Sequence, residues 1–579
     1  MAKRKRKKVG ARDRVPRMPY PDVTAFVRQH LHPDAPSAVP LRKMWRDIID
    51  ADEIEAMRPM IPMPTPFIHN GETSQAWDGE FDGRDAYEAL VAIHDTFVDK
   101  ADQLVSQLGT AECLFWLRRL RGQFAMVNNL VSTDPYVQLV AEALVTRAAR
   151  PSEPIDDLEE MNYYLNEEKL LLLVTIHILA AEIYELHSVM KRCAKGQVVQ
   201  FTPAEMPTWV RDSDLDELIK RLDQRTMKDD AGSLTSLGIA SRADPLERPR
   251  LPIGGHVPLW YSLHPRTHLP FSEVDPQPYL VGSVNLDPVQ AVNPGEPLDE
   301  AQVALVALLW ACHAAMGEPK VGLLRMTPMF QWGYAILHTE GTLLPYLDRT
   351  LTEMREHGGA ALSTSPKIVS GVEVLNILGK LSTEVNAPMA GNPVHPVADR
   401  SVIDLVGASR RLVATLTRPR DGNVRPWTER FEDDVQAVID NSPWRPEKRV
   451  RGLKGKKIRR LDGTELTDID AVAIRGKQLL LVSCKSFAVT REVVQGSFRV
   501  TPTSLDRSHK ALTKWTAVVD EIRHDPGLLG FPLPSDIAFD GCIVFPVVPY
   551  YTEPAGDRRA FRNIPVLLSI SEFEKALQK

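Results

Sequence analysis

The chain has 579 residues, 43% of them hydrophobic and 25% charged, with 45 prolines. That length exceeds one single-core domain of ~100–200 residues, so two or three packed units are expected, and the composition excludes a disordered or fibrous chain. Lys and Arg number 70 against 76 Asp and Glu, a formal net charge of −6 that excludes a surface uniformly coated for nucleic acid and leaves that task to local basic patches.

Residues 1–18 form the first such patch. Lys3, Arg4, Lys5, Arg6, Lys7, Lys8, Arg12, Arg14 and Arg17 stand against one acid, Asp13, a density that predicts a flexible basic tail attractive to phosphate. No apolar stretch follows it, so it is not a secretory signal. Residues 19–230 then read as an all-α region, with helices expected over 41–57, 84–107, 113–131 and 156–195 from apolar residues at three- and four-residue spacing. The longest apolar run, 170–181, falls short of the ~20 residues that cross a bilayer; it predicts a buried bundle helix and no membrane partner. His177, Glu182 and His187 in this helix are five residues apart, on different faces, and read as structural rather than as a metal site. Self-association or a partner protein is expected to use this helical region. The five cysteines are dispersed, with no zinc spacing, and fit reduced thiols in the cytoplasm.

Turn residues between 228 and 252 mark a boundary, and 245–420 reads as a mixed α/β unit. Short strands are expected at 257–263 and 279–284, and helices at 299–316, 343–357 and 402–417. Residues 418–426 carry turn residues and read as a linker.

The segment 426–579 carries the chemistry. Residues 427–440 (WTERFEDDVQAVID) predict a helix with Phe431, Val435, Val438 and Ile439 on its apolar side, Glu432 beside them, and Thr428 as a cap. Residues 445–460 (RPEKRVRGLKGKKIRR) hold nine Lys or Arg and predict a phosphate-contacting hairpin or strand pair, with Arg449, Arg451, Lys454, Lys456 and Lys457 as candidate contacts. Two strands follow, 466–474 and 478–485, joined by the short loop Arg475-Gly476-Lys477. Alternation puts Asp470, Val472 and Ile474 on one face and Leu481, Ser483 and Lys485 on one face of the next strand, so a carboxylate and an ammonium converge. A helix over 504–524 aligns Arg507, Lys510 and Lys514 along one side, a second candidate track for a nucleic-acid backbone. A strand over 540–548 and a strand and helix over 564–577 complete the segment.

A helix carrying Phe-Glu, a basic hairpin, an Asp at a strand head, a short turn and a Cys-Lys at the end of the next strand resemble the PD-(D/E)XK, or restriction-endonuclease-like, nuclease superfamily. The resemblance covers about 150 residues. It implies an α/β domain in which Asp470 and the residue at 483 hold a divalent metal, Lys485 assists the attacking water, and Glu432 supplies an extra carboxylate from the first helix. Ser483 departs from the pattern, because the family has an acid there; Asp468, two residues before Asp470, or Glu465 is the candidate replacement ligand. The resemblance implies Mg2+ or Mn2+ as cofactor and DNA as partner, with hydrolysis in restriction or defence as the context. Two other readings stand beside it: a nuclease fold that binds nucleic acid without cutting, and a helical assembly scaffold. No GxxxxGKS or GxxxxGKT, GxSxG or HExxH motif occurs, which removes the simplest NTPase, hydrolase and zincin cases.

Overall fold

A computed structural model describes residues 77–119, 135–147, 150, 167–202, 206–236, 256–262, 279–286, 297–316, 333–357, 362, 365–383, 390–416, 424–485, 498, 501–530, 534, 536–546, 548–551, 558–561 and 563–578. The basic tail 1–18, the helix expected over 41–57, residues 120–131 and 156–166 of two others, and residues 418–423 of the linker lie outside the described residues.

The first region is built on β1 (Gly79–Phe81), α1 (Gly83–Leu108), α2 (Thr110–Arg119), α3 (Pro135–Thr146) and α4 (Glu167–Ala194). β2 (Val199–Phe201), β3 (Thr208–Trp209) and α5 (Ser213–Ser236) complete it. Ala86, Leu90, Ile93, Phe97, Ala101 and Val105 recur along α1 at helical spacing and are all buried. By length and composition α4 is apolar enough to cross a membrane, yet 67% of its apolar window is buried inside the fold, where its hydrophobic residues join the helical core. The region is not all-α: β1, β2 and β3 pair antiparallel into a small sheet, in strands of two or three residues that show no period in the sequence.

The second region contains β4 (His256–Ser262), β5 (Tyr279–Asn285), α6 (Glu300–Met316), β6 (Tyr334–His338), α7 (Leu344–His357) and α8 (Gly371–Gly379). β7 (Val394–Val397), β8 (Arg400–Asp404) and α9 (Leu405–Leu416) follow. Residues 402–404, expected to begin a helix, instead form the central strand of the sheet β6-β8-β7. Alternation along that sheet decides the architecture: Tyr334, Ile336 and Val402 enter the core of the helical region, while Ala335, Leu337 and Ile403 enter the core of the second. The expected division between 19–230 and 245–420 therefore separates no independent bodies, because one sheet is shared. Buried Arg118 of α2 reinforces the junction, donating to Asp404 at 2.5 Å, Glu142 at 3.0 Å and the Gly333 carbonyl at 2.9 Å.

The third region contains α10 (Val424–Asp440), the short α11 (Lys448–Arg451), β9 (Lys457–Arg459), β10 (Glu465–Asp468), β11 (Ala471–Arg475) and β12 (Gln478–Cys484). After it come α12 (Thr501–His524), β13 (Ala538–Phe545), β14 (Arg559–Phe561), β15 (Ile564–Pro565), β16 (Leu567–Ser569) and α13 (Ile570–Leu577). Helix α10 begins before the expected cap, so Thr428 lies inside it and 424–426 are helical rather than linker. β11 and β12 form the expected hairpin, turning at Gly476 with φ of 60°. β12 then runs parallel to β13, and β13 parallel to β16, giving the order β11-β12-β13-β16. Every residue of β12 from Leu479 to Cys484 is buried, so this strand is covered on both faces, with α10 and α12 contributing to the surrounding core.

Helix α5 belongs partly to this third core. Ile219 and Leu222 pack into it, and Arg225 reaches Glu572 with two bonds of 2.8 Å, the Leu567 carbonyl at 2.9 Å and the Tyr551 hydroxyl at 3.1 Å. The expected end of the helical region at 230 thus cuts through a helix that continues to Ser236 and docks on the C-terminal region.

Candidate active site

The parallel strands end in a common direction, and the hairpin register brings its residues together there. Val472 faces Leu481; two residues further along, Asp470 stands opposite Ser483. The Asp470 carboxylate, in a residue 7% exposed, accepts from the Cys484 amide at 2.5 Å and the Ser483 hydroxyl at 3.2 Å. The Lys485 ammonium lies 3.7 Å from the same oxygen and donates to the Cys484 carbonyl at 3.2 Å. Burial raises the Asp470 pKa against the pull of Lys485 and the Cys484 amide. The neighbouring Cys484 thiol is pushed well above its ordinary value by burial and by the Asp470 and Glu432 charges, so it is no nucleophile.

Glu432 joins the pair from α10. Burial first, then the charges of Asp470 and Asp468, drive its carboxyl up to about 7, with Lys454 and Lys485 opposing. Burial and neighbouring negative charge thus outweigh the two lysines at Glu432. Asp468 bears on both Glu432 and Asp470 through its charge. It is not on the strand face of Asp470, because the chain breaks at Ile469–Asp470: Asp468 ends β10, paired opposite Lys457 of β9, and is exposed. Glu465 pairs with Lys457 at 3.0 Å on the surface.

Among the described residues no three His, Cys, Asp or Glu side chains converge closely enough to hold a metal ion alone. Hard oxygen donors suit Mg2+ or Mn2+, ions that retain several waters and take one or two carboxylates together with substrate phosphate, and the Asp470 charge bears on the Glu432 carboxyl. Asp470 and Glu432 fit that lesser demand; Ser483, a neutral hydroxyl 3% exposed and donating to Asp470, does not add a third charge.

The basic run is more tied down than its sequence implies. Arg451 pairs with Asp440 and Lys454 with Asp433, fastening α11 and the following turn to α10. Lys456 donates to the Leu529 carbonyl at 2.7 Å, and Arg460 grips Glu521 of α12 at 2.6 Å. The hairpin or strand pair expected over 445–460 does not form within that run: 448–451 are helical, with Arg449 exposed on α11, and only 457–459 make a strand, β9, whose partner β10 lies beyond the run. On α12, Lys510 is paired with Asp506 at 2.6 Å, while Arg507 and Lys514 are exposed and have no ion-pair partner among the described residues. These two are the freest of the candidate phosphate contacts.

One residue of the site escaped sequence reasoning. Gln436 lies on the apolar side of α10, 1% exposed, bonded to both backbone groups of Val472. An amide flanked by Val435 and Ile439 was its only signal.

No family model matches this chain, and neither a curated protein nor a solved structure is significantly similar to it.

Proposed function

We propose that this protein is a metal-dependent nuclease of the PD-(D/E)XK kind, hydrolysing phosphodiesters in nucleic acid, DNA for preference, through residues 426–579. The observation that carries the reading is the pairing of Asp470 with Lys485, 3.7 Å apart at one end of the sheet β11-β12-β13-β16, within the electrostatic reach of Glu432 from α10. A bound Mg2+ or Mn2+ supplies Lewis-acid polarisation of the phosphoryl oxygen and eases deprotonation of water. Asp470 and Glu432 would hold that ion. Lys485, held close to Asp470 but with its side chain 36% exposed, offers its ammonium to the attacking water or to charge building on the phosphate. The Cys484 amide and the Ser483 hydroxyl fix the Asp470 carboxylate in orientation, leaving its other oxygen for the ligand. Arg507 and Lys514 bind the backbone electrostatically.

The five cysteines are free and buried, in keeping with a reducing cytoplasm, and a role in restriction or defence is the context this reading favours. The helical and middle regions would regulate access or bind a partner, including a second copy. A second reading, a nuclease fold that binds without cutting, draws on Ser483 and on the lack of a three-ligand cluster among the described residues.

The test is cleavage of plasmid and single-stranded DNA with Mg2+ or Mn2+, comparing wild type with Asp470→Ala and Lys485→Ala, and measuring binding in parallel with Arg507→Glu/Lys514→Glu. Cutting lost in both site variants, with binding weakened and less salt-sensitive in the α12 variant, is the expected result. Salt-sensitive binding without cutting would favour the second reading. Neither binding nor cutting would refute both.

A further inference from the structure

We propose that Gln436 is a positioning residue whose side-chain amide sets Glu432 against Asp470 by pairing with both backbone groups of Val472. The inference rests on the reading of those carboxylates as the metal-holding pair, and deepens it by naming what brings them together.

Among the described residues β11 is the edge strand of its sheet, and one row of its backbone groups faces no described strand. Gln436 fills that place. Its Oε1 accepts from the Val472 amide at 3.1 Å and its Nε2 donates to the Val472 carbonyl at 3.3 Å, as a strand partner would. A further bond from Nε2 to Asp440 at 3.2 Å holds the amide in this orientation. The next outward amide along the edge, Ile474, donates to the Trp444 carbonyl at 2.9 Å. The edge is therefore closed by α10 and by the turn after it, and α10 is locked in register with β11.

The register has a geometric consequence. Glu432 precedes Gln436 by four residues, ~6 Å along a helix, and lies on the same side. Asp470 precedes Val472 by two residues, ~6.6 Å along a strand, on the same face. The two steps nearly match, so anchoring Gln436 at Val472 delivers Glu432 to Asp470. A slip of α10 by one residue would turn Glu432 by ~100° and lose the pair. The influence of Asp470 on Glu432 agrees with this placement.

Two measurements on the full-length chain test it. The first replaces Glu432→Cys and Asp470→Cys, with Cys484→Ser to remove the adjacent thiol, and follows bridging by dibromobimane. Efficient bridging is expected with Gln436 present, and slow or absent bridging in Gln436→Met, which keeps side-chain volume but offers no hydrogen bonds. The second measures Mn2+ affinity with the native carboxylates, expected to fall ~10–100-fold in Gln436→Met, the usual effect of losing a residue that orients a ligand. If Gln436→Met does not fold, Gln436→Glu, which retains an acceptor for the Val472 amide, is expected to bridge at an intermediate rate. Equal bridging with and without the Gln436 amide, or none in the parent, overturns the positioning role. A wild type that binds no Mn2+ while bridging still depends on Gln436 overturns the metal reading alone.

Discussion

Replacing Arg118 by Met removes the charge at the junction between the helical and middle regions while keeping a long apolar side chain in place. Arg118 is 1% exposed and donates to Asp404 from α2, across the shared sheet, and to Glu142 of α3. Without it, Asp404 retains the Gly407 amide at 2.7 Å, and Glu142 retains Gln138 at 3.0 Å and the more distant Arg410 at 3.5 Å. Breaking one side of such a buried cluster costs ~3–5 kcal/mol, a factor of roughly 10² to several times 10³ in the unfolding constant. The pH dependence supplies a second signature. Burial alone would raise the Glu142 pKa, but Arg118 and Arg410 pull it down to about 2, so in the wild type its contribution is present above the unfolded value of 4.5 and is lost as pH falls towards 2. In Arg118→Met the largest lowering influence on Glu142 is gone while Arg410 and Gln138 remain, so its folded pKa rises from about 2 and the stability lost on acidification below 4.5 becomes smaller than in the wild type. Urea unfolding at several pH values reads both effects. A loss under ~1 kcal/mol, or a variant that keeps the wild-type slope, would refute the reasoning.

Glu432 yields a prediction of opposite sign from its own shift. Its folded pKa of about 7 lies above the ordinary glutamate value of 4.5, so its contribution to stability is present below 4.5 and lost as pH climbs through 7. A divalent ion must displace the same proton, and Mn2+ affinity by titration calorimetry should rise with pH up to about 7 and then level; a wild-type slope unchanged in Glu432→Gln would contradict this. Ser483→Glu places a third carboxylate beside Asp470 in a site 3% exposed, at a cost of ~1–3 kcal/mol without metal. Its melting temperature should fall in chelator and recover with Mn2+ by more than the wild type gains; equal Mn2+ shifts in both proteins would count against a metal held at this position.

Much of the local order was legible because short-range rules govern it. The expected helix 84–107 is one residue inside α1 at each end, and the glycine-containing loop at 475–477 closes the expected hairpin, whose register in the structure sets Asp470 opposite Ser483. The strand at 402–404 was not legible, since a short apolar run suits a buried helix as well as a strand, and only its pairing with β6 and β7 decides. Nor could the sequence disclose that Arg451, Lys454, Lys457 and Arg460 already have acidic partners, because Asp440, Asp433, Glu465 and Glu521 meet them only in the fold. Asp468 and Asp470 looked alike by alternation, and a break of two residues between β10 and β11 separated them. Gln436 was hidden for another reason: its partners are backbone atoms, which leave no trace in side-chain pattern.

Glu572 serves two masters: it caps α13 through the Ser569 amide at 3.1 Å, and it receives Arg225 of α5. The first turn of the last helix is thereby bound to a residue almost 350 positions earlier in the chain. Any exchange of C-terminal segments between chains, by evolution or by design, that takes its cut at 424 would strand Glu572 without its guanidinium and bare the apolar ground now covered by Ile219 and Leu222. The heritable unit is discontinuous, with α5 travelling as an obligatory passenger of the sheet it covers.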